Sequence, residues 1–173
     1  MRPDAEAPGR AMTEIWVDGD ACPVRDEVFR VAERRNLIVH VVSNGARGVR
    51  LPDHPRIRRV IVEAGADAAD DYIADNIAPL DVCVTADIPL ASRCLAKGAR
   101  AISPKGHPWT QENIGSALAG REVSRHLRET GLETRNASFT GNDRSRFLVA
   151  LDAALDAAAR PAAQAFRIPP GGF

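Results

Sequence analysis

Six aspartates stand out by position. Asp18 and Asp20 flank Gly19 directly after the apolar run Ile15-Trp16-Val17. Asp67, Asp70 and Asp71 sit three and four residues apart where a helix is expected to begin, on neighbouring surface. Asp87 closes the sequence Val84-Thr85-Ala86-Asp87. Carboxylates brought to one place repel one another and do not all stay ionised unaided. A hard divalent cation with oxygen ligands, Mg2+ or Mn2+, relieves that repulsion. Such an ion can activate water and neutralise charge on a transferring phosphate, so the pattern supports metal-assisted phosphodiester hydrolysis. The expected catalytic group is Asp18, Asp70 and Asp87, and the expected metal ligands are Asp18, Asp20, Asp70, Asp71 and Asp87.

Each of these residues also has an ordinary use. Asp at a strand end or helix start caps the helix and favours the positive end of its dipole. For Asp67 alone the capping use is preferred, and for Asp70 and Asp71 both uses stand. Asp18, Asp20 and Asp87 read as functional because three strand-end acids point at one region. An Asp-x-Asp after an apolar strand is also the nucleophile and general acid of haloacid-dehalogenase-type phosphatases. Those enzymes follow it with a Ser/Thr strand, a Lys and then an acidic pair, whereas here Asp70-Asp71 precedes Thr85, and Lys97 and Lys105 come last. A toprim-type nuclease needs its Glu strand first, and here the Asp-x-Asp strand is first.

The elements that must position these acids alternate. The apolar run at 14–18 reads as a buried strand, and 37–42, 57–62, 80–85 and 99–103 read as further strands. Helical spacing runs over 23–35, 66–77, 88–97, 110–129 and 144–159, with Pro23 suited to a first turn, Gly98 to a C-terminal cap and Asn142-Asp143 to the start of the last helix. Alternation implies crossover connections: an α/β three-layer sandwich with a central, mostly parallel sheet. Its ligand site is expected at the carboxyl ends of the strands. If the sheet sets strands one and four side by side, the acids meet.

The chain has 173 residues, 45% hydrophobic and 27% charged, which fits one globular domain of ordinary size. We expect a flexible extension at 1–13, the domain at 14–159 and a flexible tail at 160–173. Lys plus Arg number 23 against 23 Asp plus Glu, so bulk positive charge does not hold this protein to nucleic acid. Three Cys argue against a disulfide framework, and no run approaches the ~18 apolar residues of a membrane span. The expected location is cytoplasmic, with no membrane partner.

Among other polar residues, Asn44 ends strand two and can contact substrate or serve the turn. Lys105, after strand five, can steady a scissile phosphate. Asn113 can orient a ligand or cap a helix. Arg144 and Arg146 lie at a helix N-terminus, where phosphate binding and a salt bridge to Asp143 are both open. These give the substrate-binding candidates Asn44, Lys105, Asn113 and Arg144. Arg47 and Arg50 fall in a loop, and Arg121, Arg125 and Arg128 form a helical stripe. Cys22 before Pro23 can be an activated thiol at a helix start, but no His follows nearby and packing is preferred. Aromatics at 5% offer no stacking platform for single strands.

The stretch Ile15-Trp16-Val17-Asp18-Gly19-Asp20-Ala21-Cys22-Pro23-Val24 resembles the opening signature of the bacterial YaiI/YqxD family, in which an Asp usually replaces Gly19. Gly65 to Ile73 resembles its second signature and Thr85 to Ala91 its third. Asn113-Ile114 and Asp143-Arg144-Ser145-Arg146-Phe147 also match, so the resemblance spans about residues 14–155. That family is grouped with PIN-like nuclease domains, which implies a central parallel sheet and an acidic Mg2+/Mn2+ site. The resemblance places the PIN-like acids on Asp18, Asp70 and Asp87. The usual mid-chain Glu has no clear counterpart, with Glu63 a candidate. The implied activity is a divalent-metal-dependent phosphodiesterase or nuclease, on RNA rather than DNA. The alternatives are a non-catalytic module binding nucleic acid or nucleotide, and a phosphomonoesterase with Asp18 as nucleophile.

Overall fold

The computed structural model describes residues 12–19, 22–44, 51–63, 65, 67–116 and 139–159. Five strands form one sheet: β1 (Ile15–Asp18), β2 (Val39–Ser43), β3 (Ile57–Ile61), β4 (Val82–Val84) and β5 (Arg100–Ile102). Their order is β3-β2-β1-β4-β5, and every neighbouring pair is parallel. The chain winds outward from β1 through β2 to β3, then returns to lay β4 on the free side of β1. Order therefore reverses between β1 and β4, the place where open parallel sheets form their crevice.

Helices cover both faces, making an α/β three-layer sandwich. On one face, α1 (Arg25–Arg35) and α4 (Gly141–Ala158) pack Val28, Val31, Phe147, Leu151 and Leu155 on Ile15, Val17, Val39, Val41, Val82 and Val84. On the other, α2 (Ala68–Asn76), α3 (Ile88–Ala96) and a helical stretch at 111–116 pack Ile73, Leu90, Ala91, Cys94 and Ile114 against Trp16, Val42 and Cys83. Alternation along β1 sends Ile15 and Val17 to the first layer and Trp16 and Asp18 toward the second. The central strands β1 up to Val17 and β4 are covered on both sides and apolar throughout, whereas the edge strand β3 carries Arg58 and Arg59 and is partly exposed.

Local chemistry sets the helix ends. Asn36 takes a left-handed conformation (φ 60°) to close α1, and Gly98 (φ +85°) follows the end of α3. The last helix begins earlier than Asn142-Asp143 would place it. Thr140 is the N-cap, accepting from the Asp143 N–H, while the Asp143 carboxylate accepts from the Thr140 N–H. This reciprocal pair is a capping box, so Asp143 caps from the third helical position. Of the helix expected over 110–129, residues 111–116 are helical and the rest lie outside the described residues.

The amino ends of the strands hold a buried polar network. Asp81, fully buried, accepts from the Glu14 N–H, the Ala78 N–H and the Trp16 indole, each at 3.0 Å. Trp16 stacks on His40 at 3.9 Å, and His40 Nε2 lies 2.8 Å from Glu14 Oε1. Buried polar groups must be paired, and these are paired with one another across β1, β2 and the lead-in to β4.

Candidate functional site

Three aspartates are brought to the carboxyl edge of the β1–β4 crossing, near enough to act on one another through charge. Asp18 is the last residue of β1, partly buried, on the α2/α3 side of the sheet. Asp87 is the N-cap of α3, placed by the β4 turn. Its N–H donates to Thr85 Oγ1 at 2.9 Å, and its Oδ1 accepts from the Leu90 N–H at 2.8 Å. Thr85 is held in turn, since its carbonyl accepts from the Trp109 indole at 3.1 Å. Asp70 lies in the first turn of α2, partly buried, where that helix crosses the edge.

The electrostatics record the proximity. Burial, then the charges of Asp87 and Asp18, then that of Asp67, push the Asp70 carboxyl up to about 6, against a weaker opposing pull from Arg93. Like charges raise a carboxyl pKa because ionisation must place another negative charge beside those already present. Asp70 is thus the group on which this hollow concentrates its repulsion. The donor set is carboxylate oxygen throughout, the chemistry a hard divalent cation prefers. Among the described residues, no trio of acidic, histidine or cysteine side chains is arranged to hold a metal ion. Asp20 lies outside the described residues.

The remaining acids stand differently. Asp67 is the exposed N-cap residue of α2 and makes no side-chain capping bond, so its carboxylate acts on Asp70 through charge. Asp71 is exposed on the outer side of α2, paired with Arg93 of α3 at 2.8 Å. Glu63 is exposed beyond β3. Gly19 is buried, and a Cβ there would lie 2.7 Å from Val41 Cγ1 and 3.2 Å from the Val42 carbonyl oxygen. The β1 turn is thus packed closely on β2 at a residue without a side chain.

The substrate-binding candidates are spread along the carboxyl edge and beside it. Asn44 follows β2, partly buried. Asn113 serves as a cap for 111–116: its Oδ1 accepts from the Thr110 N–H and its Nδ2 donates to the Pro108 carbonyl, both at 2.8 Å. Arg144 is engaged structurally, donating to Glu27 at 3.1 Å and the Pro23 carbonyl at 3.2 Å while lying over the Phe139 ring. Lys105 sits in the turn after β5, near Asp143, whose carboxyl is held below its usual range chiefly by the Thr140 N–H and to a smaller extent by the Lys105 charge. Arg47, Arg50, Arg121, Arg125 and Arg128 lie outside the described residues.

Burial pushes the Cys22 thiol up to about 11, so it is a packed thiol and not an activated one. Cys83 is raised by its hydrogen bond with Cys94 and by burial, and both are core. A groove of about 520 Å3 runs beside β5 and α4, lined by Leu95, Ile102, Trp109, Ala150 and Ala154, and none of the carboxylates lines it. Sequence reasoning passed over Thr85 and Arg25. Thr85 is legible as a hydroxyl two residues before a capping acid. Arg25, the first residue of α1, reaches back to the Gly19 carbonyl at 3.4 Å, a contact that only the folded turn creates.

Comparison with known proteins matches residues 16–157 to the model described as "Uncharacterized BCR, YaiI/YqxD family". A UPF0178 protein of Rhodospirillum rubrum is 55% identical over 148 residues, covering 85% of this chain and 98% of that protein. A UPF0178 protein of Rhodopseudomonas palustris is 54% identical over 151 residues, covering 87% and 94%. One of Parvibaculum lavamentivorans is 51% identical over 150 residues, covering 86% and 97%. With a matching model across most of its length and relatives identical at half their positions, the chain belongs to the YaiI/YqxD family.

Proposed function

We infer that the protein is a divalent-metal-dependent phosphodiesterase of PIN-like type, acting on RNA. The observation that supports this most directly is the raised carboxyl of Asp70 between Asp87 and Asp18 at the sheet's crossing point. A like-charge cluster of oxygen donors is costly by itself and is relieved by a cation. Mg2+ or Mn2+ bound there would neutralise developing phosphate charge and activate water. Asp18, Asp70 and Asp87 would have to draw closer around it than they stand without it, with Asp20, two residues after Asp18 in sequence, as a further oxygen donor. Asp87 would bind it while one of its oxygens stays committed to the α3 cap, which fixes its direction. Asn44, after β2, and Lys105, after β5, would meet the phosphodiester.

Calorimetric titration of Mn2+ into wild type and Asp18→Asn tests the cation, and Mn2+-dependent cleavage of an RNA and DNA oligonucleotide panel tests the chemistry. Asp87→Asn is the informative variant, because Asn is as good an N-cap as Asp. It should keep the thermal midpoint within a degree or two and lose cleavage by at least about 100-fold, as for a lost electrostatic group at a reaction centre. Cleavage that persists in Asp87→Asn, or heat of Mn2+ binding unchanged in Asp18→Asn, would sink the reading.

A second reading, a non-catalytic nucleic-acid or nucleotide-binding module, draws on the lack of a clear mid-chain Glu, since Glu63 is exposed beyond β3. It expects oligonucleotide binding without Mn2+-stimulated turnover.

A further inference from the structure

The carboxyl edge is acidic on one side and basic on the other. Asp70 and Asp87 belong to the α2/α3 layer, while the α1/α4 layer presents Arg25, Arg144 and Arg146, with Lys105 in the neighbouring β5 turn. The two sides are joined by contacts. Arg25 bonds the Gly19 carbonyl next to Asp18, Arg144 bonds Glu27 and the Pro23 carbonyl at the start of α1, and Arg146 bonds Asp143 and the Lys105 carbonyl.

The arginines are held in a particular way. Among the described residues Arg144 is hydrogen-bonded through Nη1 to Glu27 and the Pro23 carbonyl, and Arg146 through Nη1 to Asp143 and the Lys105 carbonyl. The gripping carboxylates are largely covered, at 8% and 12% side-chain exposure, whereas the two arginine side chains are 46% and 49% exposed. The negative charge is therefore underneath and the positive charge outside. A guanidinium anchored by one nitrogen keeps its remaining N–H groups for a second, bidentate acceptor, and phosphate fits that fork. Residues two apart on a helix do not face each other, so Arg144 leans toward α1 and Arg146 toward the β5 turn. Gly106 locks the second arm: a Cβ there would sit 2.7 Å from the Arg146 carbonyl carbon.

We propose that Arg25, Arg144, Arg146 and Lys105 form a track for the phosphate backbone of a nucleic acid, leading across the α1/α4 side into the aspartate hollow. It rests on the phosphodiester reading above and adds the path and polymeric nature of the substrate. A mononucleotide or small phosphoester would need one phosphate contact, while a track of fixed cations fits successive phosphates. Contacts of this kind position the strand and read no bases.

The test is fluorescence anisotropy of a labelled oligouridylate, with metal chelated by EDTA so that binding is measured apart from cleavage. At low salt, Arg146→Gln and Lys105→Ala should each weaken binding on the order of fivefold, and each should flatten the log Kd against log salt slope by about 0.7 per lost contact. Arg146→Lys should restore most of the slope. Lys105, whose ammonium forms no salt bridge among the described residues, guards against misfolding of the arginine variant. Unchanged affinity and slope in Lys105→Ala and in a normally folded Arg146→Gln would overturn the track. So would wild type that fails to bind at low salt, although Mn2+-dependent cleavage of bis(p-nitrophenyl) phosphate would still judge the aspartates independently. DNA of the same length, bound equally, would support a backbone reader.

Discussion

Asp70 is the residue whose environment departs furthest from that of a solvated carboxylate, and pH should expose it. Its folded carboxyl titrates near 6, against 3.8 for the ordinary group. Between those values the folded state binds more protons than the unfolded chain, so stability falls as pH rises through about 6 and is greatest, for this group, below about 4. Asp70→Asn removes the ionisation. Allowing for solvent screening of a partly exposed group, the variant should be more stable near pH 7.5 by on the order of 1 kcal/mol. In a chain of this size that is about 2–4 °C in thermal midpoint. The gain should vanish near pH 4, where the wild-type group is protonated, and Mn2+ should narrow it at neutral pH by stabilising wild type. Thermal melts across pH, with and without Mn2+, check all three. The opposite sign at neutral pH would mean that Asp70 is stabilised by a partner and not strained by its neighbours. Asp71 shows what spacing alone leaves open. It adjoins Asp70 in sequence, yet the helix turns it to the outside, where Arg93 meets it.

Elements were legible where a single physical rule governs them. All-apolar runs stopped by acid marked β1 and β4 because strands buried on both faces tolerate no polar alternation. Gly98 marked the end of α3 because a left-handed residue follows it. The start of α4 was less legible, since Thr140, Asn142 and Asp143 are all cap-forming residues and only the folded turn decides that Thr140 caps while Asp143 reciprocates. The role of Arg144 was undecided for the same reason: Glu27 lies 117 residues away in sequence and nothing local announces it. The β5 turn shows how one residue ties two elements. Gly106 has φ +88°, and its missing Cβ is the space occupied by the Arg146 backbone. Gly106→Ala should therefore cost about 2 kcal/mol or more, from left-handed strain together with the clash. That is roughly 4–8 °C in midpoint. A melt indistinguishable from wild type would show that α4 can shift off the turn.

Parallel strands with helices on both sides followed from alternation, but the pairing of β1 with β4, which brings Asp18 and Asp87 to one edge, did not. It required that β4 return to the free side of β1, which nothing in either strand specifies. The polar network at the opposite ends of the strands was equally hidden. Glu14, His40 and Asp81 each adjoin or interrupt an apolar run, a signal that the run ends in a paired buried group. Asp81→Ala leaves the Glu14 and Ala78 amides and the Trp16 indole without this acceptor. It should cost about 3 kcal/mol or more, and so lower the midpoint by roughly 6–12 °C. Retention of the wild-type midpoint would show that water replaces the carboxylate.

The contrast between the two ends of the sheet implies a gradient of local opening. One pole is tied by a carboxylate receiving three donors, and at the other the Asp70 carboxyl is raised by burial and by the like charges of Asp87 and Asp18. In native-state deuterium exchange the Glu14 and Ala78 amides should be among the slowest to label, and the Leu90 amide that caps on Asp87 should label faster. Adding Mn2+ should slow Leu90 and leave Glu14 where it was. The sheet would then act as a rigid handle at one end that presents a compliant, ion-responsive rim at the other.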